Sequence, residues 1–259
     1  MSKILRRHIN SKWAKTKAIQ TASRLETYIP LTKRMTYRTL KQMLHKHRMV
    51  YIKPDSGMFG NGVMRVEWHK GRQDQSYFYQ EGETPRSFGR FVDMYRSIRK
   101  LIGKRRYLVQ RGIELLTYKG NRFDIRVMVQ QSPVQEWETT GIIGRVAHPR
   151  KIVTNFHNGG ALKDPGLLLQ GYMADRESKK LMHRLQLIGL HAAKAMQSRF
   201  KGVNEIGVDV AIDHKLHPWI LEVNTSPDPY IFRRLRDKRV YAKVMQYAKS
   251  NGRVKPKNR

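Results

Sequence analysis

The stretch WILEVNTSPDPY, residues 219–230, reads as a short apolar strand running into Asn-Thr-Ser-Pro. Side chains alternate along a strand, so Glu222 and Asn224 face one way and Leu221 and Val223 the other. The apolar pair is expected in a core, with the oxygen-bearing pair on the opposite face. Just upstream, IGVDVAIDHKLHPWILEV (206–223) has the pattern of a hairpin. Pairing Asp213 with Pro218 around the turn His214–His217 sets Asp209 directly opposite Glu222, and a slip of two residues keeps both on one face. Two carboxylates so placed repel, and a cation between them relieves the repulsion. Carboxylate and amide oxygens suit a hard ion, and Mg²⁺ takes one or two carboxylates plus phosphate oxygens. The competing reading is a solvated acidic face. It fits less well, because the flanking Val208, Val210, Ile220 and Leu221 read as buried.

Working outward, MVYIKP (49–54) is a strand stopped by Pro54, with Lys53 at its end. DSGMFGNG (55–62) follows as a glycine-rich loop containing Ser56, Gly57, Gly60 and Gly62. Glycines let backbone N–H groups approach a phosphate closely, and a neighbouring lysine adds a point charge. The GxxxxGK[ST] pattern is absent, and on this stretch alone a plain hairpin loop with a snorkelling lysine is the better reading. In FDIRVMVQ (123–130), Phe123, Ile125, Val127 and Val129 share one face, and Asp124, Arg126 and Met128 the other. An arginine on such a face either binds phosphate oxygens or a developing negative charge, or forms a structural ion pair. Arg145 in GIIGRVAHP (141–149) poses the same alternatives. Asn155, with Gly159 and Gly160, makes a polar loop that either contacts substrate or is a simple turn. TPRSFGRFVDMYRSIRKLI (84–102) reads as a helix with Pro85 at its first position and Phe88, Phe91, Val92, Tyr95 and Ile98 on one face. ADRESKKLMHRLQLIGLHAAKAMQSRF (174–200) reads as a long amphipathic helix. Strands and helices come in mixed, partly antiparallel order, which points to an α+β fold.

The chain has 259 residues, no cysteine and a formal net charge of +32. The cysteine count excludes disulfides, thiolate catalysis and Cys-ligated zinc. No apolar run spans a bilayer, and no apolar core follows the N-terminus, so a cytoplasmic protein is expected. The charge is concentrated in the flanks. Residues 1–50 hold 13 Lys/Arg against one acid, and residues 231–259 hold 11 against one. Such flanks favour an anionic polymer or surface as partner. The N-terminal segment 1–29 is expected to serve that docking and to be separable from the chemistry.

The pieces together resemble the ATP-grasp superfamily, and within it the YheC/YheD group described as endospore coat-associated. The resemblance rests on VYIKPDSGMFGNGV (50–63), VQRGIEL (109–115), FDIRVMVQ, NFHNGGA (155–161) and GVDVAID (207–213) with LEVN (221–224), across about residues 30–230. The NFHNGG and EVN segments are also similar to RimK-type glutamate ligases. The resemblance implies two α+β subdomains, 30–105 and 106–230, gripping ATP between them. A basic N-terminal segment (1–29) precedes them, and a basic C-terminal helix and tail (231–259) follow. Lys53, with Lys33 as an earlier partner, would contact phosphates under a lid formed by residues 56–62. Gln110, Arg111 and Ile113 would lie near adenine, and Glu114 near ribose. Asp209, Glu222 and Asn224 would hold Mg²⁺, and Arg126 and Arg145 would steady phosphate or the acyl intermediate. Asn155, Gly159 and Gly160 would meet the substrate. The implied chemistry is activation of a carboxylate as an acylphosphate, followed by attack of an amine or similar nucleophile, with association to the spore. Two alternatives accompany it: a non-catalytic, polyanion-binding coat-associated protein on the same scaffold, and an ATP-grasp kinase acting on a small molecule. The separate N-terminal substrate domain usual in the superfamily is not expected here, where about thirty residues and a basic segment precede the resemblance.

Overall fold

Alternation within MVYIKP sets the first layer. Val50 and Ile52 are buried beneath helices, while Tyr51 and Lys53 face away from them. The computed structural model describes residues 7–58, 60–71, 75–152, 154 and 159–254. Within them, helix α1 (Lys12–Ile19) and a 3-10 turn (Ser23–Tyr28) lead into β1 (Thr32–Arg34), α2 (Tyr37–His47), β2 (Met49–Pro54) and β3 (Met64–Lys70). There follow β4 (Gln75–Glu81), β5 (Thr84–Phe88), α3 (Phe91–Ile102) and β6 (Tyr107–Arg111). The six strands form one antiparallel sheet in the order β1-β6-β2-β3-β4-β5. Leu40, Met43 and Leu44 of α2 and Phe91, Met94, Ile98 and Ile102 of α3 close one face of it. Burying each large apolar side chain contributes about 1.5–3 kcal/mol, which is why the helices lie on that face. Thr36 and Thr39 form a reciprocal cap at the start of α2.

Two expectations change here. Residues 84–88 form the outermost strand β5, and the helix begins only at Phe91. Proline lacks the N–H that a further neighbour would need, so an edge strand accommodates Pro85 as well as a helix start does. The strand β6 pairs with β1 and β2 of the first sheet. The passage between sheets therefore falls after Arg111 rather than before residue 106.

The second sheet is built from β7 (Thr117–Tyr118), β8 (Asn121–Gln131), β9 (Trp137–Val146), β10 (Ala161–Lys163), β11 (Glu205–Ile212) and β12 (Pro218–Asn224). Its order is β10-β9-β8-β11-β12, with β7 paired to β8, again antiparallel throughout. Helices α4 (Pro165–Leu169) and α5 (Asp175–Arg199) lie in the connection between β10 and β11. Leu185, Ile188, Ala192 and Met196 of α5 pack on Phe123, Ile125, Val127 and Val129, as the alternation of FDIRVMVQ requires. The opposite face of the sheet is shared. One end of it carries Met128 and Ile143 against Ile231, Phe232, Leu235 and Val244 from a 3-10 turn (Tyr230–Arg234) and α6 (Lys238–Ser250). The other end faces the first sheet across a cleft. The whole is the expected α+β architecture, two antiparallel sheets with helices on the faces turned away from the cleft and α6 beside the cleft on the second.

The N-terminal segment is not a detached arm. Ala18, Ile19 and Leu25 are buried in the core of the second layer. The backbone N–H of Ile9 donates to Thr225 Oγ1 at 2.9 Å, and the Arg7 guanidinium donates to the Asn251 carbonyl at 2.6 Å.

Candidate functional site

The two sheets enclose a cavity of about 460 Å³, to which each contributes one wall. From the first sheet come Tyr51, Lys53, Gln110 and Arg111, with Ser56, Gly57 and Gly60 of the glycine loop above them. Lys53 Nζ donates to Gln110 Oε1 at 2.7 Å and reaches the Leu221 carbonyl of the second sheet at 3.5 Å. From the second sheet come Asp124 and Arg126 on β8, Arg145 on β9, Asp209 on β11 and Leu221, Glu222 and Asn224 on β12.

The hairpin places Asp209 opposite Glu222, as its pattern suggested, although the turn closes with Ile212 opposite Pro218. The pairing slips between Asp209/Glu222 and Val210/Ile220, which leaves Leu221 as an extra residue. The bulge overturns the expected placing of Leu221 in the core. Ile220 and Val223 enter the core, and Leu221 turns with Glu222 towards the cavity. It packs with Ile113 and Leu115, which also line the cavity, in a small apolar cluster that Ala211 and Trp219 complete behind them.

The carboxylates and arginines form one alternating chain. Arg145 grips Asp124 with both arms of its guanidinium, Nε to Oδ1 at 2.8 Å and a terminal nitrogen to Oδ2 at 2.5 Å. The same arginine lies 3.0 Å from Asp209 Oδ2. Arg126 donates from Nε to Asp209 Oδ1, and Asn224 donates to Asp209 Oδ2 at 3.2 Å. Thr154 donates to Asp124 Oδ2 at 2.6 Å. Burial works against charge on Asp209, but Arg126 and Arg145 outweigh it and hold this carboxyl below its usual range. Burial likewise opposes the charge of Arg145, yet Asp124 and Asp209 push its pKa up. These arginines thus make the ion pairs that the sequence left as one of two alternatives.

Glu222 is bound differently. Lys12 and Lys15 of α1 each lie 3.4 Å from its Oε1. Lys12 also donates to the Gly57 carbonyl at 2.9 Å. The start of α1 is pinned to the first sheet through Asp55, whose carboxylate accepts from Ser11 Oγ and from the Trp13 N–H at 2.8 Å. The N-terminal segment, expected to be separable from the site, therefore supplies part of its wall. Its lysines were not legible as site residues, because Lys12, Lys15 and Lys17 look alike in sequence and only packing turns the first two inward.

Several candidates lie elsewhere. Lys33 is exposed on β1, where its neighbour Thr32 takes the inner face and bonds Gln110 at 3.1 Å. Glu114 is largely exposed and pairs with Arg65 at 3.3 Å, away from the cavity lining. Gly62 is not in the lining either; it sits under the loop, where a Cβ would come within 2.7 Å of the Tyr107 hydroxyl. Gly159 lies beside His148, and neither it nor Gly160 lines the cavity. Asn155 falls outside the described residues. Gly207 was missed: a side chain there would meet Arg126 Cδ and Pro227 Cβ at 2.9 Å, so its absence gives Arg126 the room to reach Asp209.

Among the described residues, no three His, Asp or Glu side chains cluster as a metal cage. Two carboxylates and one amide, Asp209, Glu222 and Asn224, do share the cavity. That donor set fits a hard divalent cation that completes its shell with phosphate oxygens and water.

Lys53 offers a titratable probe. Enclosure pushes its pKa down to about 8, against the pull of Glu222 and with the help of Lys12. The unfolded chain then binds more protons than the folded one between about pH 8 and 10.5, so this lysine's contribution to stability rises with pH across that window. An anion bound against Lys53 would reverse the shift. Anion binding at pH 8–9 is expected to take up roughly half to one proton. Calorimetry in buffers of different ionisation enthalpy measures the uptake, and Lys53→Met should lower it, leaving what Lys15, whose pKa burial also pushes down, takes up.

The family described as YheC/D like ATP-grasp matches residues 2–250. The chain is 23% identical over 229 residues to the endospore coat-associated protein YheD of Bacillus subtilis (strain 168), covering 86% of this chain and 49% of that protein. It is 22% identical over 225 residues to the endospore coat-associated protein YheC of the same organism, covering 85% and 61%. It thus spans about half to three-fifths of the length of these relatives. Among solved structures, the D-cycloserine synthetase DcsG shares the fold at a TM-score of 0.55 and 11% identity, over 95% of this chain and 71% of that one.

Proposed function

The chain belongs to the YheC/D-like ATP-grasp family, and from that premise we propose that it is an ATP- and Mg²⁺-dependent ligase joining a carboxylate to an amine or similar nucleophile. The observation that carries this reading is the cavity between the sheets, with lysine and a glycine loop on one wall and paired carboxylates and arginines on the other. The apolar patch of Ile113, Leu115 and Leu221 receives the adenine, beside Gln110 and Arg111. Lys53 and the loop 56–62 take the phosphates. Asp209, Glu222 and Asn224 hold Mg²⁺, which supplies charge neutralisation at the transferring phosphoryl group. Arg126 and Arg145 are held rigidly by Asp209 and Asp124, so their positive charge needs no reorganisation when negative charge develops near them.

The reaction then runs in two steps. The substrate carboxylate oxygen attacks the γ-phosphorus, the bond to the β–γ bridging oxygen breaks, and ADP leaves an acylphosphate behind. The amine attacks the acyl carbon, loses a proton and expels inorganic phosphate. No protein nucleophile is consumed, which agrees with a chain lacking cysteine. The test is mass spectrometry of products after incubation with ATP, Mg²⁺ and a pool of amino acids and cell-wall precursors. A ligase yields ADP, phosphate and an amide in equal amounts. A kinase yields ADP and a phosphorylated product with no free phosphate. Absence of nucleotide turnover with every mixture would leave the non-catalytic reading.

The surplus basic charge is assigned to docking on an anionic polymer or surface. The relatives' description as endospore coat-associated makes a spore layer the location to examine. Lys255 and Lys257 of the C-terminal tail lie outside the described residues. The exposed Arg176, Lys179, Lys180, Arg184 and Lys194 of α5 form a basic stripe within them. Retention on an anionic polymer resin is expected to fall steeply with salt, since exposed charges are screened within about 10 Å at ~0.1 M. Charge reversal along α5 should lower it further without touching ATP binding.

A further inference from the structure

Three ammonium groups meet at one end of the cavity: Lys12 and Lys15 from α1 and Lys53 from β2. Among the described residues, the one carboxylate within ion-pair distance of any of them is Glu222, which Lys12 and Lys15 share through a single oxygen. Among the described residues, Lys53 is hydrogen-bonded by two neutral oxygens, the Gln110 amide and the Leu221 carbonyl. Lys12 and Lys15 are nearly inaccessible, at 9% and 6% exposure. Burying charge without matched partners is costly. Their position on the helix adds to the cost. Both lie in the first turn and a half of α1, which has no acidic residue in its first turn, and cations there oppose the helix dipole. Asp55 at the helix start answers the dipole but bonds Ser11 and Trp13 rather than either ammonium group. A surplus of buried positive charge in a cavity open to ligand points to an anion.

We propose that Lys12 and Lys15 form, with Lys53, a binding site for the terminal phosphates of a nucleoside triphosphate, so that the N-terminal helix is part of the nucleotide site. The inference rests on the ATP reading above and extends it to two residues that precede the motifs on which that reading was built. The placement is specific: Lys12 bridges the carbonyl of Gly57 in the glycine loop and the carboxylate of Glu222. It therefore stands where the loop and the cation ligand approach each other, which is where the β- and γ-phosphates of a bound nucleotide must pass. AMP, ending at its α-phosphate, would not reach these lysines.

The test compares ATP, AMP and inorganic tripolyphosphate by calorimetric titration on the full chain. Lys12→Met and Lys15→Met keep the apolar stems and remove the charges. Each is expected to weaken ATP by about tenfold or more, the effect of one charge-assisted hydrogen bond, and to leave AMP within about threefold. Lys17→Met, on the exposed side of the same helix, should change neither. Thermal melting of each variant reports whether it folds. A measurement free of α1 substitutions accompanies these: Lys53→Met should still bind tripolyphosphate, because two of the three lysines remain. Equal weakening of ATP and AMP, no weakening of ATP, or complete loss of tripolyphosphate binding in Lys53→Met would each overturn the proposal. A wild-type chain that binds tripolyphosphate but not ATP would retain the anion site and remove the nucleotide reading instead.

Discussion

Arg145→Met is expected to destabilise the fold by about 3–5 kcal/mol, the usual cost of removing one partner from a buried ion pair. The side chains of Arg145 and Asp124 are 5% and 2% exposed, and Arg145 also touches Asp209. Without it, Asp124 keeps, among the described residues, the Thr154 hydroxyl, and Asp209 keeps Arg126 and Asn224. For a chain of this size the loss corresponds to a fall of roughly 6–20 °C in thermal midpoint. The control is the pair Arg145→Met with Asp124→Leu, which replaces the two-armed grip by apolar volume. Much of the stability should return, because a buried pair replaced by well-packed apolar groups is often neutral. Ligation should not return, since the positive charge over the cavity is gone. A single variant as stable as the parent in thermal melting would mean that Asp124 is solvated or neutral, and the rigid-arginine account would fail.

Glu222→Gln is expected to remove the Mg²⁺-dependent part of ATP affinity, by more than about a hundredfold, because even outer-shell changes at metal sites cost 10–100-fold. The amide keeps the shape of the side chain and its place on β12, so the fold should survive. The informative arm is ATP without metal. There the variant should bind at least as well as the parent, because the substitution lifts repulsion between a carboxylate and the phosphates and frees Lys12 and Lys15 from their shared oxygen. Calorimetric titration with Mg²⁺ and then with chelator separates the two arms. Unchanged affinity in the presence of Mg²⁺ would dismiss Glu222 as a metal ligand.

What could be read from the chain follows the range of the forces involved. The pairing of Asp209 with Glu222 was legible because hairpin partners are close in sequence and share a face by alternation. The bulge at Leu221 was not, since nothing local distinguishes a strand of seven residues paired straight from one paired with a slip. Pro85 satisfies both a helix start and an edge strand, and the choice is made by Gln80 across the hairpin. Lys33 was set outward by a long-range register, Thr32 opposite Gln110, that no local pattern encodes. The arginines were found as residue types on the right face, but their mates were not, because Asp124 and Asp209 come to them from different strands.

The closure of the N-terminal segment onto the rest also bears on the order in which the molecule can be made. Ile9 meets Thr225 across 216 positions, Lys15 meets Glu222 across 207, and Arg7 meets Asn251 across 244. A ribosome delivers the first member of each pair long before the second. Until β12 and the loop after it emerge, Ala18, Ile19 and Leu25 have no completed surface to cover, and the segment's lysines and arginines remain in water. Closing so wide a loop adds little to the equilibrium cost, about 0.6 kcal/mol for each doubling of length, but it places the step late and makes it slow. Helix α1 can then dock only after β12 has formed, and Lys12 and Lys15 enter the cavity more than 200 positions later in synthesis than they are made.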